Sequence, residues 1–176
     1  NTGTITNSGT GAGATLISGG VGSNVTTVTE NSTTSALTIS TTALTVASGG
    51  TTLVNSNASG SALLTVSGGI TGTGNLVLNN NSAIANGITL STNSVNNTGT
   101  ITNSGTGAGA TLISAAIGSN VTTVTENSST SMLVLSSTSN AYTGTTTITS
   151  GTLQLGAAGV IPDASAVTIT GTLDLA

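Results

Sequence analysis

Short runs that alternate aliphatic with mostly hydroxylated residues recur along this chain. Leu37-Thr38-Ile39, Leu64-Thr65-Val66, Ile88-Thr89-Leu90 and Leu133-Val134-Leu135 form one series. Leu44-Thr45-Val46, with Val21, Ile70, Val95 and Ile117, forms a second. A third contains Ile5, Val28, Val54, Leu78, Ile101 and Val124, and Ile148 and Leu173 extend it. An apolar residue at every second position is the pattern of a strand with one buried face. No apolar stripe runs at i, i+3, i+4, and β-branched residues dominate, so the pattern predicts strands and no helix. Clusters such as Ser48-Gly49-Gly50 and Ser67-Gly68-Gly69 separate the runs and read as corners.

The runs are periodic. Asn7, Asn31, Asn55, Asn79, Asn103 and Asn127 follow one another at intervals of 24 residues, each one to three places after an aliphatic residue. The segment 1–35 returns at 97–131, an offset of 96 residues, with four differences: Gly19→Ala115, Gly20→Ala116, Val21→Ile117 and Thr33→Ser129. Four of the short intervals fill the long one. Such self-similarity indicates a solenoid. The sequence predicts an all-β, right-handed parallel β-helix (β-solenoid) of about 24 residues per coil and a little over seven coils. Residues 1–176 are read as one segment of it, built from 1–96 and a partial second copy, 97–176. Stacking is what makes a coil stable, since each coil pairs its backbone with its neighbours and joins its apolar interior to theirs. An antiparallel sandwich, the rival all-β arrangement, leaves the fixed interval unexplained. The six asparagines are expected to stack as a structural ladder, one amide above the next at a corner that tolerates left-handed backbone.

Composition then narrows the chemistry. Charged residues make up 2% of the chain, where about 25% is usual. Lys, Arg, His, Cys, Trp and Phe are absent, and the acids are Glu30, Glu126, Asp163 and Asp174. Proton transfer near neutral pH usually needs His or paired carboxylates. Glu30 and Glu126 fall in equivalent copies of the repeat, hence several layers apart, and each is read as a solvated turn. Cys/His metal sites cannot be built. No catalytic, cofactor-binding or metal-binding residue is assigned, and the chain is not read as an enzyme. Net charge is −4, so nucleic acid is not an expected partner. No apolar run is long enough to span a membrane. No signal peptide opens the sequence, so a secreted protein would be represented here by its mature part. Gly9-Thr10-Gly11-Ala12-Gly13 resembles a phosphate loop but lacks the Lys and the helix that would make it one. Thr-x-Thr elements such as Thr145-Thr146-Thr147 raise the idea of an ice-binding face. No such rank persists at the 24-residue interval, which favours ordinary strand surface.

Residues 132–176 carry a further pattern: Leu133-Val134-Leu135-Ser136, then Asn140-Ala141-Tyr142-Thr143-Gly144-Thr145-Thr146-Thr147-Ile148, then Gly151-Thr152-Leu153. This stretch is similar to the autotransporter-associated β-strand repeat of bacterial autotransporter passenger domains. The resemblance implies an extracellular or bacterial cell-surface β-helix with structural or adhesive roles, and a corner-packing role for Tyr142. The membrane barrel of such proteins has no counterpart in the sequence. Together these readings predict a non-enzymatic scaffold or surface fibre that continues in a longer chain or associates with itself end to end. The alternatives are an adhesin for glycans or cell surfaces and, after it, an ice-binding protein.

Overall fold

The structure, a computed structural model, describes residues 3–176; Asn1 and Thr2, which open the repeated segment, lie outside the described residues. Among the described residues there are eighteen strands and no helix. Eight strands form one parallel sheet: β1 (Gly3–Asn7), β3 (Val25–Glu30), β6 (Thr51–Asn55), β9 (Leu76–Asn80), β11 (Gly99–Asn103), β13 (Val121–Asn127), β15 (Thr145–Ser150) and β17 (Val167–Ile169). Eight form a second: β2 (Thr15–Ile17), β4 (Leu37–Ile39), β7 (Leu64–Val66), β10 (Ile88–Leu90), β12 (Thr111–Ile113), β14 (Leu133–Leu135), β16 (Thr152–Leu155) and β18 (Thr172–Leu175). The third side is slighter, with β5 (Leu44–Val46) paired to β8 (Ile70–Gly72) and single bridges at Val21, Val95 and Ile117. Every coil gives one strand to each of the two long sheets, and consecutive coils pair in parallel. The fold is a β-solenoid, with eight coils where the sequence suggests a little over seven.

The interior is a set of aliphatic columns. Leu37, Leu64 and Ile88 stand over one another on the second sheet, as do Ile39, Val66 and Leu90. Val21, Leu44, Ile70, Val95 and Ile117 line the third side. All belong to one continuous buried core. The alternation read in the sequence is the cause: β4, β7, β10, β12 and β14 each bury their first and third residues and turn the middle one outward. At the corners the backbones of adjacent coils come close. A side chain at Gly151, whose φ is +71°, would collide with the Ser128 carbonyl of the coil before.

Coil length is not constant. On the first sheet the pairing runs Ile5, Val28, Leu53, Leu78, Asn103, Glu126, Ile148, Ile169. The first step is 23 residues, the next three are 25, and later steps shorten to 23, 22 and 21. Corners absorb the differences, since only the strands are held in register.

Candidate functional site

The variable step decides where the six asparagines go, and it corrects the expected ladder. Asn7 pairs with Glu30, not with Asn31. Glu30 pairs with Asn55, and Asn55 with Asn80 rather than Asn79. Asn103 lies over Leu78 on one side and Glu126 on the other. Asn7, Asn55 and Asn103 therefore point inward and are buried. Asn31, Asn79 and Asn127 are displaced by one position, which on a pleated strand turns them to the outer face. There they accept hydrogen bonds from Ser56 Oγ, Ser104 Oγ and Thr149 Oγ1 of the following coil. The inward amides bond to backbone and carboxylate instead. Asn55 Nδ2 donates to the Ala62 and Gly87 carbonyls at 3.1 and 2.7 Å, while its Oδ1 accepts from Asn57 N.

The glutamates are a second correction. Glu30 and Glu126 are each 0% exposed. In Val25-Thr26-Thr27-Val28-Thr29-Glu30 the carboxylate sits two residues beyond Val28, on the same face of the strand, and the strand continues through it. That parity was available in the sequence; the following Asn-Ser pair suggested a turn one residue too early. Glu126 accepts from Asn103 Nδ2 at 2.8 Å and from Ser128 N at 2.7 Å. Glu30 accepts from Asn7 Nδ2 at 2.8 Å and Ser32 N at 2.6 Å. Ser128 Oγ accepts from Ser131 N at 2.7 Å and donates to the Gly105 carbonyl of the previous coil; Ser32 repeats both contacts with Ser35 N and Gly9 O. The niche is thus a duplicated polar clasp joining coil to coil.

The chain has no Lys, Arg or His to balance these carboxylates. Burial pushes the Glu126 carboxyl up to about 7, with the hydrogen bonds from Asn103, Ser128 and Leu133 pulling the other way. Burial likewise raises Glu30 against its bonds to Asn7, Ser32 and Leu37. Asn103 Oδ1, buried beside Glu126, has no partner among the described residues. The two niches lie four coils apart, as expected, so they form no carboxylate pair. Among the described residues no group of three or more acidic side chains is placed to hold a metal ion.

Tyr142 is fully buried, and its hydroxyl bonds to Thr146 Oγ1 at 2.8 Å, which in turn meets Ser165 Oγ at 2.9 Å. Burial raises the phenol above its ordinary range. Asp174 accepts from Gln154 Nε2 at 2.8 Å on the outer side of the last coil.

One outward feature escaped the fixed 24-residue interval. Followed by pairing instead, the first sheet carries Thr4, Thr27, Thr52, Val77, Thr102, Thr125, Thr147 and Thr168 in a single rank across all eight coils. None of these side chains is buried. Thr6 and Thr29 flank the rank on one side at the first two coils. Thr100, Thr123 and Thr145 flank it on the other side at the fifth to seventh.

Comparison of this chain with protein-family models, with curated proteins and with solved structures finds no match.

Proposed function

We propose that this chain is a non-enzymatic structural scaffold, a rod segment of an extracellular or bacterial cell-surface fibre. The observation that carries this reading is the use made of its polar groups. Both glutamates, the inward asparagines and the corner serines spend their hydrogen bonds on fixing a coil's own corner and on tying one coil to the next. Among the described residues the two buried glutamates lie four coils apart and do not converge on a cleft, as an active site requires. The resemblance of residues 132–176 to the passenger-domain repeat supports a surface location.

Self-association belongs to the same proposal. Val167, Ile169 and Leu175 of the last coil are exposed, Leu175 by 74%. Another coil, in a longer chain or a second copy, would cover them as inner coils cover one another. Electron microscopy of the concentrated chain is expected to show rods lengthening into filaments with an axial repeat of about 4.8 Å. Sedimentation at rising concentration is expected to show growing species; a strictly monomeric chain defeats the self-stacking part. Hydrolase activity retained through purification defeats the scaffold reading itself.

A further inference from the structure

We propose that the outward threonine face of the first sheet binds ice. The face carries one rank across all eight coils and a second, partial rank beside it, at the first two coils on one side and at the fifth to seventh on the other. Across the strands, the rank from Thr4 to Thr168 repeats at the spacing of parallel strands, about 4.8 Å. Along a strand, paired threonines such as Thr27 and Thr29, or Thr123 and Thr125, stand two residues apart, about 6.6 Å. Every threonine presents one hydroxyl and one methyl group. Its β-branch restricts χ1, so little rotamer freedom is lost on contact. The single interruption, Val77, has the shape of threonine and keeps the methyl group.

The chemistry of this face excludes most other ligands. Its rank holds no charge, because Lys and Arg are absent, Glu30 and Glu126 are buried behind it, Asp174 is on the second sheet and Asp163 is in the turn before β17. A mineral or a charged polymer therefore finds no ionic partner. Sugar rings find no aromatic platform, since the one aromatic residue, Tyr142, is fully buried. A protein partner would need large apolar or aromatic anchors, which this face does not offer. What remains is a neutral solid that repeats in two directions and is built of hydrogen-bond donors and acceptors. Contacts weak one at a time become firm when a rigid array engages all of them together, and ordered water bridges well between hydroxyl groups.

The second sheet supplies an internal control. Its outward rank begins Leu16, Thr38, Thr65, Thr89, then passes to Leu112, Val134, Gln154 and Asp174. Only three of these positions carry threonine, so this side has no extended lattice.

The test is growth of a single ice crystal in a solution of the purified chain, read as thermal hysteresis and crystal shape. The unaltered chain is expected to open a gap between melting and growth and to facet the crystal. Thr52→Lys and Thr102→Lys, in the rank, are expected to lose most of that gap. Thr38→Lys and Thr65→Lys, on the second sheet, are expected to keep it. Circular dichroism and melting temperature establish that all four variants are folded. Absence of hysteresis and of recrystallisation inhibition in the unaltered chain overturns the proposal. Equal loss from variants on both sheets overturns it too, as does pelleting with crystalline cellulose or chitin but not with ice.

Discussion

Glu126 holds its proton more tightly folded than unfolded, because burial without a cation penalises the charged form more than its hydrogen bonds favour it. The folded carboxyl titrates at about 7 against an ordinary value of 4.5. The stability contributed by the neutral form is therefore complete below the ordinary value and is lost as pH rises through the folded one. Urea unfolding midpoints are expected to fall between pH 5 and pH 8. Glu126→Gln, which mimics the neutral carboxyl, should flatten that profile and stabilise the chain at pH 8 by about 2 kcal/mol. Midpoints that rise with pH would contradict the burial argument. Thr111 offers a complementary case. It stands between Ile88 and Leu133 in an aliphatic column, and its buried hydroxyl has no partner among the described residues. Thr111→Val keeps the shape and removes the orphan, so calorimetry should show a gain of about 1 kcal/mol. Thr15 holds the equivalent position of the first copy, and only the pairing shows which aliphatic residues enclose Thr111.

At the scale of the strand, a displacement of one position exchanges inside for outside. Asn31 and Asn55 look equivalent in the 24-residue count, yet Asn31 is exposed and Asn55 is fully buried with three hydrogen bonds. Asn55→Leu strands the Ala62 carbonyl and the Asn57 amide, while the Gly87 carbonyl keeps its bond from Leu64 N, and is expected to cost about 3 kcal/mol. Asn31→Ala is expected to change stability by no more than about 0.5 kcal/mol. Equal losses in chemical denaturation would restore a single stacked ladder. The contrast also shows what the sequence discloses about this fold. Alternation in Leu37-Thr38-Ile39 or Leu64-Thr65-Val66 reports directly which residue faces the core, because that choice is local. The number of residues in a corner is not local, since any length that returns the strand to its neighbour is allowed. An interval that averages 23 and 25 reads as a steady 24, and this average concealed both the inward and outward sorting of the six asparagines and the threonine rank.

The molecule as a whole is a one-dimensional stack in which each layer is held by the layers on either side. Protection against hydrogen exchange should follow position in that stack more than strand length. The strands β6, β9 and β11, paired on both sides and carrying the buried Leu53, Leu76, Leu78 and Ile101, are expected to exchange slowest. β17 and β18 are expected to exchange first, since Val167 and Ile169 are exposed and each strand pairs on one side only. Uniform protection from the first coil to the last would mean the rod opens as a single unit.

The pairing of Asn103 with Leu78 has a longer reach than its own coil. Thr6 of the first copy and Thr102 of the second are the same residue of the repeat, yet Thr102 falls on the rank that Thr4 began. Duplicating the 96-residue block thus copies a sideways offset of two residues along with the coils. A rod extended by further copies of this block would carry its pattern obliquely, like a staircase whose treads advance about 6.6 Å at every landing.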